Sequence, residues 1–96
     1  MIHRPLLLAL LLGITACAGR PATQADCTAL LDRLVELELA ERGLHDAVLA
    51  ERWKADASRR FAAELAACPG LSLPPQALSC AATAERSGQL VQRCLR

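Results

Sequence analysis

Aromatic residues are almost missing from this 96-residue chain, which contains one Trp, one Phe and no Tyr. Single-stranded nucleic acids are bound on platforms of aromatic side chains, so the composition excludes a site of that kind. The formal net charge is only +1 at pH 7, and the basic residues form no stripe along the sequence. We therefore expect no nucleic-acid partner.

The residues that catalysis and metal binding need are also scarce. Beyond the first few residues the only histidine is His45, which stands beside Asp46, and we interpret it as a loop residue next to a helix cap. No serine lies in a nucleophile elbow, and no glycine-rich phosphate loop is present. The cysteines are too widely spaced for a Cys-x-x-Cys redox pair or for paired zinc ligands. We expect no enzymatic activity, no cofactor and no metal.

The first 17 residues have the order of an export signal. A positively charged start that includes Arg4 leads into the apolar run Leu6–Leu12, small residues follow, and Cys17 ends the segment. The apolar stretch Pro5–Ala18 has 14 residues, whereas a membrane-spanning helix needs about 20. The pattern therefore favours a cleaved signal peptide over a transmembrane helix.

The sequence Ile14-Thr15-Ala16-Cys17 resembles the lipobox of bacterial lipoproteins. The resemblance implies cleavage after residue 16 and lipidation of Cys17 by a diacylglycerol and a third acyl chain such as palmitate. Several acyl chains give stable membrane attachment. Ala18, in place of an aspartate, implies outer-membrane anchoring, with the protein facing the periplasm or the cell surface. Ordinary secretion is the alternative, and it would leave Cys17 as a free thiol.

The remaining cysteines are Cys27, Cys68, Cys80 and Cys94. An even number in a short exported chain predicts two disulfides, which a domain of this size needs because its apolar core is small. We divide the chain into a signal peptide at residues 1–16, a flexible tether at 17–25 and a helical, disulfide-stabilised domain at 26–96.

Apolar residues recur at helical spacing in the first half of this domain. A first helix is predicted over Cys27–Arg42, with Asp26 as N-cap, Gly43 at its end and an ion pair between Glu38 and Arg42. A second is predicted over Ala47–Cys68, capped by Asp46 and ended by Pro69-Gly70.

The sequence of the second half of the domain predicts shorter helices. A third begins at Pro74 or Pro75, with Ser72 as its cap, and runs to about Ala84. Ser87 caps a fourth that runs through Cys94, although a single bent helix over Pro74–Leu95 is an open alternative. The fold class is therefore all-α, a small bundle of three or four helices.

The predicted layout favours one of the three disulfide pairings. If the first two helices form an antiparallel hairpin, Cys27 lies level with about Phe61, and Cys68 lies about 10 Å beyond it. We therefore predict the pairs Cys27–Cys80 and Cys68–Cys94. The pairs Cys27–Cys68 and Cys80–Cys94 come second, because they require a shorter second helix and a sharp turn at Ser87.

The pattern Cys80-Ala81-x-x-Ala84, with Cys94 after it, resembles small four-cysteine helical lipoproteins of uncharacterised function. The resemblance spans Cys27 to Cys94 and implies no activity. Trp53 and Phe61 lie eight residues apart on one helix, and we interpret them as core residues, with a groove for a ligand or partner as the alternative.

Taken together, these patterns predict a lipid-anchored, non-enzymatic interaction or envelope-accessory module. Its partners would be the membrane, through Cys17, and an envelope protein. The alternatives are a small carrier of hydrophobic ligands and a membrane-active, lysis-type lipoprotein. The mixed-sign polar face of the second helix is unlike the Lys-rich faces of membrane-active helices.

Overall fold

A computed structural model of the chain describes Gly19–Arg96, and the predicted lipidation site Cys17 lies outside these residues. The described part is mostly helical, which confirms the predicted all-α class. Its elements, in chain order, are β1 (Arg20–Pro21), α1 (Gln24–Glu41), α2 (Ala47–Arg60), α3 (Ala62–Ala67), β2 (Ser72–Leu73), α4 (Ala77–Thr83) and α5 (Ser87–Gln89), which continues as the π-helical segment Leu90–Cys94. None of the helices in the described part is both long and apolar enough to span a bilayer.

Helix α1 begins earlier than predicted because a different residue caps it. The Thr23 hydroxyl accepts a hydrogen bond from the Asp26 backbone N–H, and the Asp26 carboxylate accepts one from the Thr23 backbone N–H. These reciprocal bonds form a capping box, which satisfies backbone donors that a helix start leaves unpaired. Asp26 is therefore the third helical residue and not the N-cap.

Helix α1 is the central element because it buries side chains on two sides. Leu30 and Leu37 pack into a larger core with α4 and the π-helical segment. Val35 and Leu39 pack into a smaller core with Ala57 of α2. The apolar spacing that predicts this helix, Cys27, Leu30, Leu31, Leu34 and Leu37, includes the first pair but not the second.

Helix α2 begins as predicted, with the Asp46 carboxylate accepting hydrogen bonds from two backbone N–H groups. It ends at Arg60, whereas the prediction ran unbroken to Cys68. The apolar residues that predict this helix follow each other at steps of four: Leu49, Trp53, Ala57, Phe61 and Leu65. Each step of four advances about 40° around a helix of 3.6 residues per turn. In a straight helix, Leu65 would therefore lie on nearly the opposite side from Leu49. The break at Phe61 lets Leu49 pack in the smaller core and Leu65 in the larger.

The domain starts before the predicted boundary at Asp26. Strand β1 pairs antiparallel with β2, with Arg20 opposite Leu73. Ala22 is buried, and its backbone N–H donates to the Leu71 carbonyl. Gly19 has φ +83°, and a Cβ there would collide with the Leu73 carbonyl oxygen. Residues 20–25, assigned to the tether by composition, thus belong to the folded domain.

The third and fourth helices form, but neither predicted serine cap does. Ser72 lies in β2, and α4 starts at Ala77, after both prolines. Ser87 is the first residue of α5, and its backbone N–H and hydroxyl both donate to the Glu41 carboxylate. This carboxylate takes the position of the missing cap and ties the end of α1 to α5.

The two disulfides are Cys27–Cys68 and Cys80–Cys94, with Cα–Cα distances of 6.2 and 5.4 Å. The first-choice pairing, Cys27–Cys80 with Cys68–Cys94, is wrong, and the second-choice pairing is correct. The error comes from treating residues 47–68 as one straight helix. The break at Phe61 allows α3 to lie against α1, which brings Cys68 beside Cys27.

Candidate functional site

A concave surface lies between α1 and α2, and we call it the Trp53 groove. Its volume is about 620 Å³. Trp53 and aliphatic side chains of both helices line it. Its lining residues are Leu31, Leu34, Val35, Glu38, Arg42, Leu49, Arg52, Trp53, Asp56, Ala57, Arg60 and Phe61.

The groove exists because only two helices surround the smaller core. The described elements that contact α2 closely are α1 and the short α3. Trp53 is half-buried as a result, and Phe61 is 45% exposed. The interpretation of both aromatics as core residues is therefore wrong for Phe61 and only partly correct for Trp53, which packs against the smaller core while lining the groove.

Arg42 covers one end of the Trp53 groove. Its guanidinium carbon lies 5.1 Å from the centroid of the Trp53 ring, which is a cation–π distance. The predicted ion pair between Glu38 and Arg42 does not form among the described residues. The last carbonyls of α1 and the face of Trp53 both attract a cation, and this explains the position of Arg42.

The charged residues that line the groove differ in whether they are paired. Further from the loop between the two helices, Asp56 is paired with Arg59 at 3.6 Å and with Arg60 at 3.5 Å. Arg42 and Arg52, which line the groove together with Glu38, form no ion pair among the described residues. The two arginines nearer the loop are therefore the cations of the groove that an added anion could pair with.

A separate polar cluster fastens α1 to α2 outside the groove. The Lys54 ammonium lies 2.8 Å from the Glu36 carboxylate, which also accepts from Arg33 at 3.1 Å. The hydrogen bond from Lys54 is the main cause that lowers the pKa of Glu36, and the same bond raises the pKa of Lys54. Each of these charges has a partner, so we interpret the cluster as one that stabilises the packing of α2 on α1.

Arg33 also carries a structural role that the sequence did not indicate. Its Nε donates to the Ala81 carbonyl at 2.9 Å, and a terminal nitrogen donates to the Ala84 carbonyl at 3.0 Å. A helix leaves its last carbonyls unpaired, and Arg33 satisfies them for α4. No local motif predicts this role, because the carbonyls lie about 50 residues further along the chain.

The residues considered for catalysis are not brought together. His45 is exposed in the loop before α2, and Ser79 and Ser87 lie on other elements, where backbone or Glu41 atoms bind their hydroxyls. Across Gly19–Arg96, no group of three or more His, Cys, Asp or Glu side chains could hold a metal ion.

A bidentate ion pair fixes the N-terminal end of the domain. The Arg20 guanidinium donates to the two Asp26 carboxylate oxygens at 2.6 and 3.2 Å. Together with the capping box, this contact holds the pKa of Asp26 well below its usual range, with the Arg20 hydrogen bonds as the largest cause. The segment that follows Cys17 is therefore bound to α1 within three residues.

Comparison of the chain with protein-family models, with curated proteins and with solved structures found no match. The candidate function therefore rests on the residues and geometry of this chain alone.

Proposed function

We propose that this protein is a non-enzymatic interaction module of the bacterial envelope, anchored to the outer membrane by lipid on Cys17. The observation that carries the proposal is the cysteine arrangement. The four cysteines of the folded domain pair with each other, which leaves Cys17 as the fifth cysteine, without a partner in that set. Disulfides form in exported proteins, and lipidation would consume the remaining thiol.

The position of the fold relative to Cys17 also supports an anchored module. Arg20 pairs with β2, so only two residues separate it from Cys17. At about 3.5 Å per residue, the connection extends about 10 Å at most. A lipidated Cys17 would hold the domain close to the bilayer surface, and the domain would meet its envelope partners there.

The anchor is tested by Cys17→Ala, which removes the lipid attachment site. We expect the parent protein to fractionate with outer membranes and to take up labelled palmitate, and Cys17→Ala to appear in the soluble periplasm without label. Ala18→Asp serves as the matched variant, since it keeps the lipid and should move the protein to the inner membrane. Membrane retention of unlabelled Cys17→Ala that has lost residues 1–16, as its intact mass shows, would contradict the proposal.

A second candidate function, the carrier of a small hydrophobic ligand, is supported by the Trp53 groove. Ligand sites typically have volumes of about 300–1,000 Å³, and this groove has about 620 Å³. The two functions are compatible, because the groove and the anchor lie in different parts of the chain. Titration of Trp53 fluorescence with hydrophobic probes tests the carrier function, and unchanged emission would contradict it.

A further inference from the structure

The loop end of the Trp53 groove carries two arginines whose charges lack acidic partners. Among the described residues, neither Arg42 nor Arg52 forms an ion pair. Both line the groove beside Trp53. An anion placed between them would gain two charged donors, and guanidinium groups bind carboxylates in a matching planar geometry.

The contact between Arg42 and Trp53 is compatible with this role. The Arg42 guanidinium lies over the Trp53 ring, and because it forms no ion pair among the described residues, its N–H donors remain available to a carboxylate. The indole also restrains the arginine side chain, so less rotamer freedom is lost when an anion binds. Trp53 thus holds the Arg42 guanidinium at the loop end of the groove and contributes apolar surface to the groove lining.

The rest of the groove suits an apolar chain of limited length. Leu31, Leu34 and Leu49 line it, and Phe61 lies at the end opposite Arg42. Trp53 and Phe61 are separated by eight residues, which is about 12 Å along a helix. An extended acyl chain advances about 1.25 Å per carbon, because its zigzag bonds are about 1.5 Å long. The groove therefore accommodates about ten carbons.

We propose that the Trp53 groove binds a medium-chain fatty acid, with its carboxylate between Arg42 and Arg52 and its acyl chain directed toward Phe61. The inference deepens the carrier function and is independent of the lipid on Cys17. Glu38 also lines the groove, and its charge opposes the bound carboxylate. Removing that charge should strengthen binding, whereas removing either arginine charge should weaken it.

The test titrates the full chain, exported with Cys17→Ala, with sodium decanoate below its micelle concentration. Trp53 is the only tryptophan, so its fluorescence reports on the groove, and calorimetry provides a second readout. We expect saturable binding of decanoate, weaker binding of decanol and no binding of butyrate. Because these three residues are exposed, Arg42→Gln and Arg52→Gln should each raise Kd about fivefold, and Glu38→Gln should lower it about threefold.

Arg93→Gln is the matched control, because Arg93 is an exposed arginine on the π-helical segment, outside the groove. Its Kd should equal that of the parent. Equal affinity for decanol and decanoate would overturn the assignment of the carboxylate while leaving an apolar ligand site. Absence of saturable binding by both readouts would overturn the carrier function itself, and circular dichroism of each variant verifies that it is folded.

Discussion

Removing the Cys27–Cys68 disulfide should destabilise the domain more than removing Cys80–Cys94. The two bridges close loops with sequence separations of 41 and 14 residues. Because a cross-link lowers the entropy of the unfolded chain, these loops correspond to stabilisation by about 3.9 and 3.0 kcal/mol at 25 °C. The expected difference is therefore about 1 kcal/mol, or about 4–8 °C in Tm for a domain of this size.

The experiment compares Cys27→Ala/Cys68→Ala with Cys80→Ala/Cys94→Ala in the soluble Cys17→Ala background. Each pair contains one buried and one partly buried cysteine, so the packing losses are similar. Thermal unfolding followed by circular dichroism gives the two Tm values, and a thiol assay should find no free thiol in either variant. Cys27→Ala/Cys80→Ala is the control for pairing and should expose two free thiols, because Cys68 and Cys94 each lose their partner.

A lower Tm for the variant that lacks Cys80–Cys94 would refute the argument from loop length. Direct mapping of the unreduced protein tests the connectivity itself. Trypsin alone leaves Cys68 and Cys80 on one peptide, residues 61–86, because no Lys or Arg lies between them. Adding chymotrypsin, which cleaves after Leu71, separates them. A peptide that joins Cys27 to Cys80 would contradict the fold.

Three further predictions concern the contacts that hold the helices. Arg33→Met keeps most of the aliphatic stem but removes the donors to the carbonyls of Ala81 and Ala84, so it should lower the free energy of unfolding by about 1–3 kcal/mol in urea, whereas Arg93→Met should change it little. Thr23→Ala removes the N-cap of α1 and should cost about 1 kcal/mol in the same assay; an unchanged midpoint would contradict the observed helix start. The pKa of Asp26 is lowered in the folded state, so its stabilising contribution is present above the unfolded pKa of about 3.9 and is lost progressively as the pH falls from that value through the lower folded pKa. Asp26→Asn should reduce this loss on acid titration, and an identical pH dependence would contradict the assigned ion pair with Arg20.

The parts of the fold that follow local rules could be predicted from the sequence. Apolar spacing indicated α1 and the start of α2, and Asp46 caps α2 as expected. The capping box at Thr23 and Asp26 also follows a local Thr-x-x-acid pattern, but the prediction uses only Asp26 and takes it as the N-cap. Local sequence patterns therefore predict the presence of these helices more accurately than the residues at which they begin.

The features that depend on tertiary packing could not be predicted in this way. The break at Phe61 lets one apolar stripe serve two cores, and this break decides the disulfide pairing. Arg33 binds carbonyls that are distant in sequence, and Arg42 contacts Trp53 rather than Glu38. Each of these features depends on a contact that is available only in the assembled bundle, and local sequence patterns do not report such contacts.

The candidate site was anticipated only in outline. The spacing of Trp53 and Phe61 indicated a shared stripe, and the carrier alternative placed a ligand near Trp53. The exposure of Phe61 and the two arginines without acidic partners follow from the way α2 packs on one helix and leaves its other side uncovered. Amphipathic periodicity reports which residues face inward, but it does not report how completely a neighbour covers them.

The most direct test of the account is the intact mass of the protein purified from membranes, measured with and without reductant. The account predicts a chain that begins at Cys17 and carries a diacylglycerol and a third acyl chain. It also predicts a gain of four hydrogens on reduction, because two disulfides are present. A mass without lipid would contradict the anchor, and an unchanged mass on reduction would contradict the disulfide-stabilised fold.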